Sequence, residues 1–279
     1  MILEEDPFGE DVHSACTLAE EKKLEECGGE FKFKGYARHI GLESVACNER
    51  RPCPPRVSLY ARMGLHRYNW LKGRKFELSR VGRYVKTIGS AASTYYMTLY
   101  AMDMGGGGGG GASLPPETCF EIAVSEYSAN CFILFCDIAR IQGEEDQTKR
   151  RRKRMDTHLP EWPPVNPLYM VEKSEVQEHD EWIRLYVELA VAFDFPPRGG
   201  GDFEILDVAM DRNDEGLDAK NATFYISYRD LDDARLGKSC HRIATVRRSF
   251  DEDSGNFYLV GGSEFRTEGS SYMHRPLSI

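Results

Sequence analysis

Downstream of Pro54-Pro55, the residues Val57, Tyr60, Ala61, Gly64, Leu65 and Tyr68 recur at the three- and four-residue spacing of one helix face. Gly73 stands where such a helix would stop, and Pro55 suits a first turn, whose amide has no helical partner to lose. The period then changes to two. Runs over about 75–87, 94–102, 119–126 and 131–141 predict strands; in the second, Tyr95, Met97, Leu99 and Ala101 take one face and Tyr96, Thr98 and Tyr100 the other.

The same order then returns. Leu168-Tyr-Met-Val-Glu172 predicts a lead strand, Ser174 and Gln177 have the spacing of a capping box, and Trp182, Leu185, Tyr186, Leu189, Ala190 and Phe193 form a helical stripe that Pro196-Pro197 ends. Strand patterns follow over about 203–212, 222–229, 240–250 and 257–265. Leu59-Tyr60 and Leu185-Tyr186, Phe76 and Phe203, Tyr95 and Phe224, and Phe132 and Phe257 are separated by a nearly constant offset. That regularity predicts an α+β chain of two tandem modules, each one helix packed on a four- to five-stranded antiparallel sheet. The expected division is an acidic N-terminal region at 1–50 with a lead strand at 31–38, a first module at 51–142, a basic linker at 143–158, a second module at 159–266 and a tail at 267–279.

Composition narrows the chemistry. With 279 residues and 41% hydrophobic content the chain can bury substantial cores, and its net charge of -9 opposes general binding of polyanions. The start, Met1-Ile-Leu-Glu-Glu-Asp6, lacks the basic and apolar regions of a secretory leader, and no run is long and apolar enough for a membrane helix, so a protein of the nucleus or cytoplasm is expected, not a secreted one. The eight cysteines include no C-x-x-C pair; Cys119, Cys131 and Cys136 fall within apolar strand patterns, so reduced thiols are expected, and the sequon at Asn221-Ala-Thr223 is expected to be idle. The run from Gly105 to Gly111 predicts an expanded hairpin connection, with no Gly-Lys-Ser/Thr to make it a phosphate loop.

One charge cluster stands out: Lys149, Arg150, Arg151, Arg152, Lys153 and Arg154. Six successive cations belong in solvent, and an extended basic hexapeptide can present them to the acidic groove of an import receptor; a local nucleic-acid patch and a plain solvated linker are the alternatives. His66 and Arg67 near a helix end, Asp180 and Glu181 near a helix start, and Asp230, Asp232 and Asp233 after a strand are all explained by dipoles and turns. No nucleophile–base pair and no metal-ligand spacing emerges, so the expected site carries no catalytic, cofactor or metal residues.

The segment Leu59-Tyr-Ala-Arg-Met-Gly-Leu-His-Arg-Tyr-Asn-Trp-Leu-Lys-Gly73, with Phe76-Glu-Leu78, Tyr95-Tyr-Met-Thr-Leu99, His158-Leu-Pro-Glu-Trp-Pro-Pro164 and Asp180-Glu-Trp-Ile-Arg-Leu-Tyr-Val-Glu-Leu-Ala190, resembles a plant family of uncharacterised proteins found mainly in crucifers. That family is grouped with the cystatin/monellin-like superfamily and includes a male-sterility protein needed for early meiosis, with relatives linked to embryo development. The resemblance implies cystatin-like modules and a role in plant reproduction; it brings no catalytic residues. The expected function is therefore a non-enzymatic, nuclear protein-interaction scaffold. The alternative is a cystatin-like inhibitor of papain-type proteases, but Ile88–Ser93 and Asn213–Asp218 lack the inhibitory Gln-x-Val-x-Gly pattern, and Glu161-Trp162-Pro163 reverses the Pro-Trp order.

Overall fold

The structure, a computed structural model, describes residues 41–88, 92–105, 116–128, 131–144, 158, 168–193, 201–211, 216–252 and 255–265. Among these residues ten strands form one antiparallel sheet: β1 (Gly41–Ala46), β2 (Phe76–Ile88), β3 (Ala92–Asp103), β4 (Glu117–Ser128), β5 (Phe132–Ile141), β6 (Leu168–Met170), β7 (Phe203–Asp211), β8 (Ala222–Asp230), β9 (His241–Asp251) and β10 (Asn256–Phe265). Their order across the sheet is β1-β2-β3-β4-β5-β10-β9-β8-β7-β6. Among the described residues four α-helices accompany them: α1 (Pro55–Lys72), α2 (Lys173–Glu178), α3 (Asp180–Ala192) and α4 (Leu231–Arg235).

The expectation of two separate helix-on-sheet modules is overturned. β5 and β10 pair directly, Phe257 opposite Cys136 and Gly261 opposite Phe132, so the strands of both halves belong to a single large sheet. The reason is visible in the side chains. Phe132, Leu134 and Cys136 of β5 enter the main core, while Ile133 and Phe135 join Val260 of β10 in a second apolar cluster on the opposite face. A strand apolar on both faces is unsuited to an exposed edge and demands a neighbour on each side.

One core serves both helices. α1 and α3 lie side by side and antiparallel: Arg56 donates to the Ala192 carbonyl at 3.0 Å, Arg62 pairs with Glu188, and His66 meets Tyr186 at 3.2 Å. Tyr60, Met63 and Leu65 of α1 and Ile183, Tyr186 and Leu189 of α3 are buried in the same cluster as residues from β2 to β5 and β7 to β10. α3 is apolar nearly all round, with Ile183, Leu185, Tyr186, Val187, Leu189, Ala190 and Val191 buried, as a helix enclosed on most sides should be.

Two local expectations also change. The capping box uses Glu172 and Glu175, not Ser174 and Gln177, and the helix breaks at His179 into α2 and α3. Cys47 and Cys53 form a disulfide between β1 and α1, where reduced thiols were expected; Cys119, Cys131, Cys136 and Cys240 remain thiols. The short loop places the two Cα atoms 5.2 Å apart, within bridging reach. The lead strand at 31–38 lies outside the described residues, as does nearly all of the glycine run. β1 itself is not signalled by the sequence.

Candidate functional site

The most concentrated chemistry lies where α1, α3 and β9 meet. Arg248 of β9 is 1% exposed, and its guanidinium sits 5.1 Å from the Trp70 ring, 5.2 Å from Trp182 and 5.0 Å from Phe224. A buried cation needs compensation. Here Nε donates to the Ala219 carbonyl at 3.1 Å, and Nη2 donates to Leu217 at 2.5 Å and Ala219 at 2.6 Å, while three aromatic faces supply cation–π attraction. These bonds tie the short 3-10 turn Gly216–Asp218 under β9.

His66 lies beside this group. Its ring stacks on Trp182 at 5.8 Å, meets Tyr186 and Phe257 edge-on, and its Nε2 is 3.2 Å from the Tyr186 hydroxyl. Burial first, and then the neighbouring Arg248 cation and His179, push its pKa down to about 3, so the imidazole is neutral at physiological pH. Burial raises Tyr186 above the ordinary phenol range, partly offset by Arg248. A neutral histidine and a neutral tyrosine beside an arginine already bound to carbonyls make a packing and orienting centre.

Two further polar clusters are similarly self-contained. Tyr60 donates to Glu126 at 2.6 Å while Arg56 reaches the other carboxylate oxygen at 3.3 Å; burial and the Glu126 charge raise the Tyr60 pKa far above that of free phenol. Asp230 caps α4 by accepting from the Asp232 and Asp233 amides, and Asp233 holds Arg242 at 2.9 Å. Asp180 pairs with Arg184 one turn on, at 3.4 Å. The helix-end reading of His66 and Arg67 is insufficient: Arg67 is 4% exposed and donates to the Gly255 carbonyl at 2.8 Å, linking α1 to the β9–β10 turn. Sequence spacing could not reveal the contacts of Tyr60 and Arg56 with Glu126 or of Arg67 with Gly255, whose partners are distant in the chain. The basic hexapeptide Lys149–Arg154 and Glu161-Trp162-Pro163 lie outside the described residues. Among the described residues, no three His, Cys, Asp or Glu side chains converge to hold a metal ion, and no helix is long and apolar enough to cross a membrane.

The other prominent feature is a sheet edge. β6 pairs with β7 only at Ala209–Asp211, followed by a bond from the Val171 amide to the Val208 carbonyl at 3.0 Å. Among the described residues, no strand covers the outer side of Phe203–Asp207. Tyr169 and Met170 on β6 are 42% and 39% exposed. A surface cleft of about 290 Å³ is lined by Gly73, Arg74, Lys75, Asp103 and Gly105, and its Arg74 and Asp103 pair with each other.

An open antiparallel sheet with two helices in one core and a satisfied polar centre describes the fold class, and comparison with known proteins makes it specific. The family model described as Protein MS5 matches residues 159–259. UPF0725 protein At3g25080 of Arabidopsis thaliana is 49% identical over 155 residues, covering 52% of this chain and 89% of that protein, and UPF0725 protein At3g19520 of the same plant is 34% identical over 258 residues, covering 80% and 79%. The crystal structure of MS5 from Brassica napus superposes with a TM-score of 0.57 at 28% identity, covering 77% of this chain and all of that one. The chain belongs to the plant MS5-like, UPF0725 family.

Proposed function

We propose that the protein is a non-enzymatic interaction scaffold that acts in the nucleus and serves plant reproductive development. The observation that supports it best is the edge formed by β6 and the first half of β7, which no strand among the described residues covers and where Tyr169 and Met170 are exposed, because unpaired strand edges recruit other chains. The buried polar groups fit the same reading, since Arg248, Tyr60 and Asp233 are engaged with partners inside the fold. The nuclear part rests on Lys149–Arg154, and the reproductive part on the resemblance to the male-sterility relative. Nothing in the geometry favours protease inhibition.

The test is a fluorescent fusion of the full chain in developing anthers, beside a variant with residues 149–154 changed to alanine, each also purified under native conditions. Nuclear accumulation that is lost in the variant, with the wild-type chain eluting in a complex larger than itself, is the expected result. A uniformly distributed chain that elutes alone removes the scaffold reading.

A further inference from the structure

The free part of β7 carries a chemical pattern of its own. The carbonyl of Asp202 accepts the Leu231 amide on the β8 side, so the next carbonyl, that of Phe203, turns to the open side. There it accepts a hydrogen bond from Arg184 Nη1 at 3.2 Å, with the guanidinium 5.0 Å from the Phe203 ring. A long side chain thus satisfies a backbone acceptor that in mid-sheet would meet a strand amide. The chain of β6 leaves this edge after Val171 to enter α2, so among the described residues no strand continues along that line.

The charged side chains of β7 itself share one sign, although Arg184 and Arg229 from neighbouring elements reach Phe203 and Glu204 and Arg235 pairs with Asp202. β7 reads Phe203-Glu-Ile-Leu-Asp-Val-Ala-Met-Asp211, with neither lysine nor proline to guard it. Glu204 lies opposite Arg229, Asp207 opposite Ser227, and Asp211 accepts from the Thr223 amide, which puts all three carboxylates on the face away from the helices. Glu204 pairs with Arg229 and Asp211 is held by Thr223, leaving Asp207 as the carboxylate an incoming cation meets between them. On the helix side of the same stretch lie Phe203 and Ile205, both packed against the core cluster. A second copy added antiparallel about the centre of Glu204–Asp207 would set Glu204 against Asp207 of its mate, and like charges directly opposite are destabilising. A strand with alternate cations would place them against this row and its apolar residues beside Phe203 and Ile205.

We propose that the edge formed by Phe203–Asp207, in line with β6, accepts an extended cationic segment of another protein as an added strand. The inference rests on the scaffold reading above and names the partner chemistry for it. The probes are an acetylated, amidated heptapeptide alternating valine and lysine and its valine–glutamate counterpart, offered to the full chain with binding read by anisotropy and backbone exchange by mass spectrometry. The lysine peptide is expected to bind and to slow exchange across residues 204–207, the glutamate peptide to do neither. The double variant Glu204→Lys, Asp207→Lys, and separately the shape-preserving Asp207→Asn, are expected to weaken binding, the first by about tenfold or more. Glu43→Lys on the far edge should leave it unchanged. Equal binding of the two peptides, protection confined to β1, or full binding by the doubly reversed variant in its folded state would overturn the proposal. Should the complex isolated from anthers persist with the doubly reversed variant, this edge is not its docking site although the scaffold reading stands; should the wild-type chain have no complex, the scaffold reading itself falls.

Discussion

His66 and Gly64 are two positions of one helix whose importance comes from what lies across the core. The unfolded chain protonates histidine near pH 6.5, whereas the folded chain resists protonation of His66 down to about 3. The unfolded state therefore binds the extra proton between those values, and stability contributed by the neutral ring is complete above about 6.5 and lost as pH falls toward 3. Thermal melts across that window should show Tm falling with acid. His66→Gln, which keeps a hydrogen-bonding group beside Tyr186 but cannot be protonated there, should fall less steeply; an unchanged slope would remove His66 as a source of acid sensitivity. For Gly64, a methyl group would overlap the buried side chain of Ile122 on β4, and at Gly261 it would lie 2.6 Å from Phe132 and 2.7 Å from the Thr245 carbonyl. Alanine gains roughly 1 kcal/mol of helix propensity at Gly64, but overpacking costs typically about 1–3 kcal/mol, so the steric term wins. Both Gly→Ala variants should melt lower, Gly261→Ala more so because a backbone oxygen moves less readily than a side chain. A raised Tm in either would refute the close packing. The helical period made Gly64 readable as an inward position, but its tight approach to Ile122 was not, since β4 lies more than fifty residues on.

At the scale of elements, local chemistry was the readable part. The stop at Gly73 is realised with φ of 60°, a left-handed conformation that glycine adopts at little cost, and its amide closes onto the Asn69 carbonyl. The strand runs expected at 94–102 and 222–229 correspond to β3 at Ala92–Asp103 and β8 at Ala222–Asp230, because alternation survives wherever a strand has one wet and one dry face. What misled was the capping spacing at Ser174. The reciprocal pair at Glu172 and Glu175 has the same three-residue separation, and a carboxylate can serve as acceptor where serine was expected. β1 escaped notice because Gly41-Leu-Glu-Ser-Val-Ala46 alternates poorly and buries only Val45. The disulfide escaped because spacing alone does not reveal that β1 and the start of α1 converge. The candidate site was the least legible: Arg248 sits in the polar run Arg247-Arg248-Ser249, and only the fold shows that its neighbours across the core are Trp70, Trp182 and Phe224.

For the whole molecule, the distinction between two modules and one sheet has a measurable consequence. The signal was present in Phe132-Ile-Leu-Phe-Cys136, an unbroken apolar run of the kind that marks a strand covered on both faces, although each half read alone can be drawn as a helix on its own sheet. In the assembled sheet β5 gives one side to β4 and the other to β10, while α1 gives its flank to α3 through Arg62 and Glu188 and its Arg67 to the turn at Gly255. A fragment covering residues 41–144 would expose an edge with Ile133 and Phe135 on one face and Phe132 and Leu134 on the other, and leave Arg67 and Arg56 without the carbonyls they reach in the second half. Such an edge is an aggregation template, and small deficits are decisive when total stability is only about 5–15 kcal/mol. The intact chain should therefore unfold in one transition, seen alike by calorimetry and by far-ultraviolet dichroism, whereas the fragment should associate or remain unfolded. A monomeric fragment with native-like amide protection in β2 to β5, together with two separable transitions in the intact chain, would mean that the β5–β10 seam joins two units that are stable alone. If the seam instead carries the cooperativity, Val260→Lys, which places a charge in the apolar cluster on the outer face at that joint, should lower the single transition without splitting it.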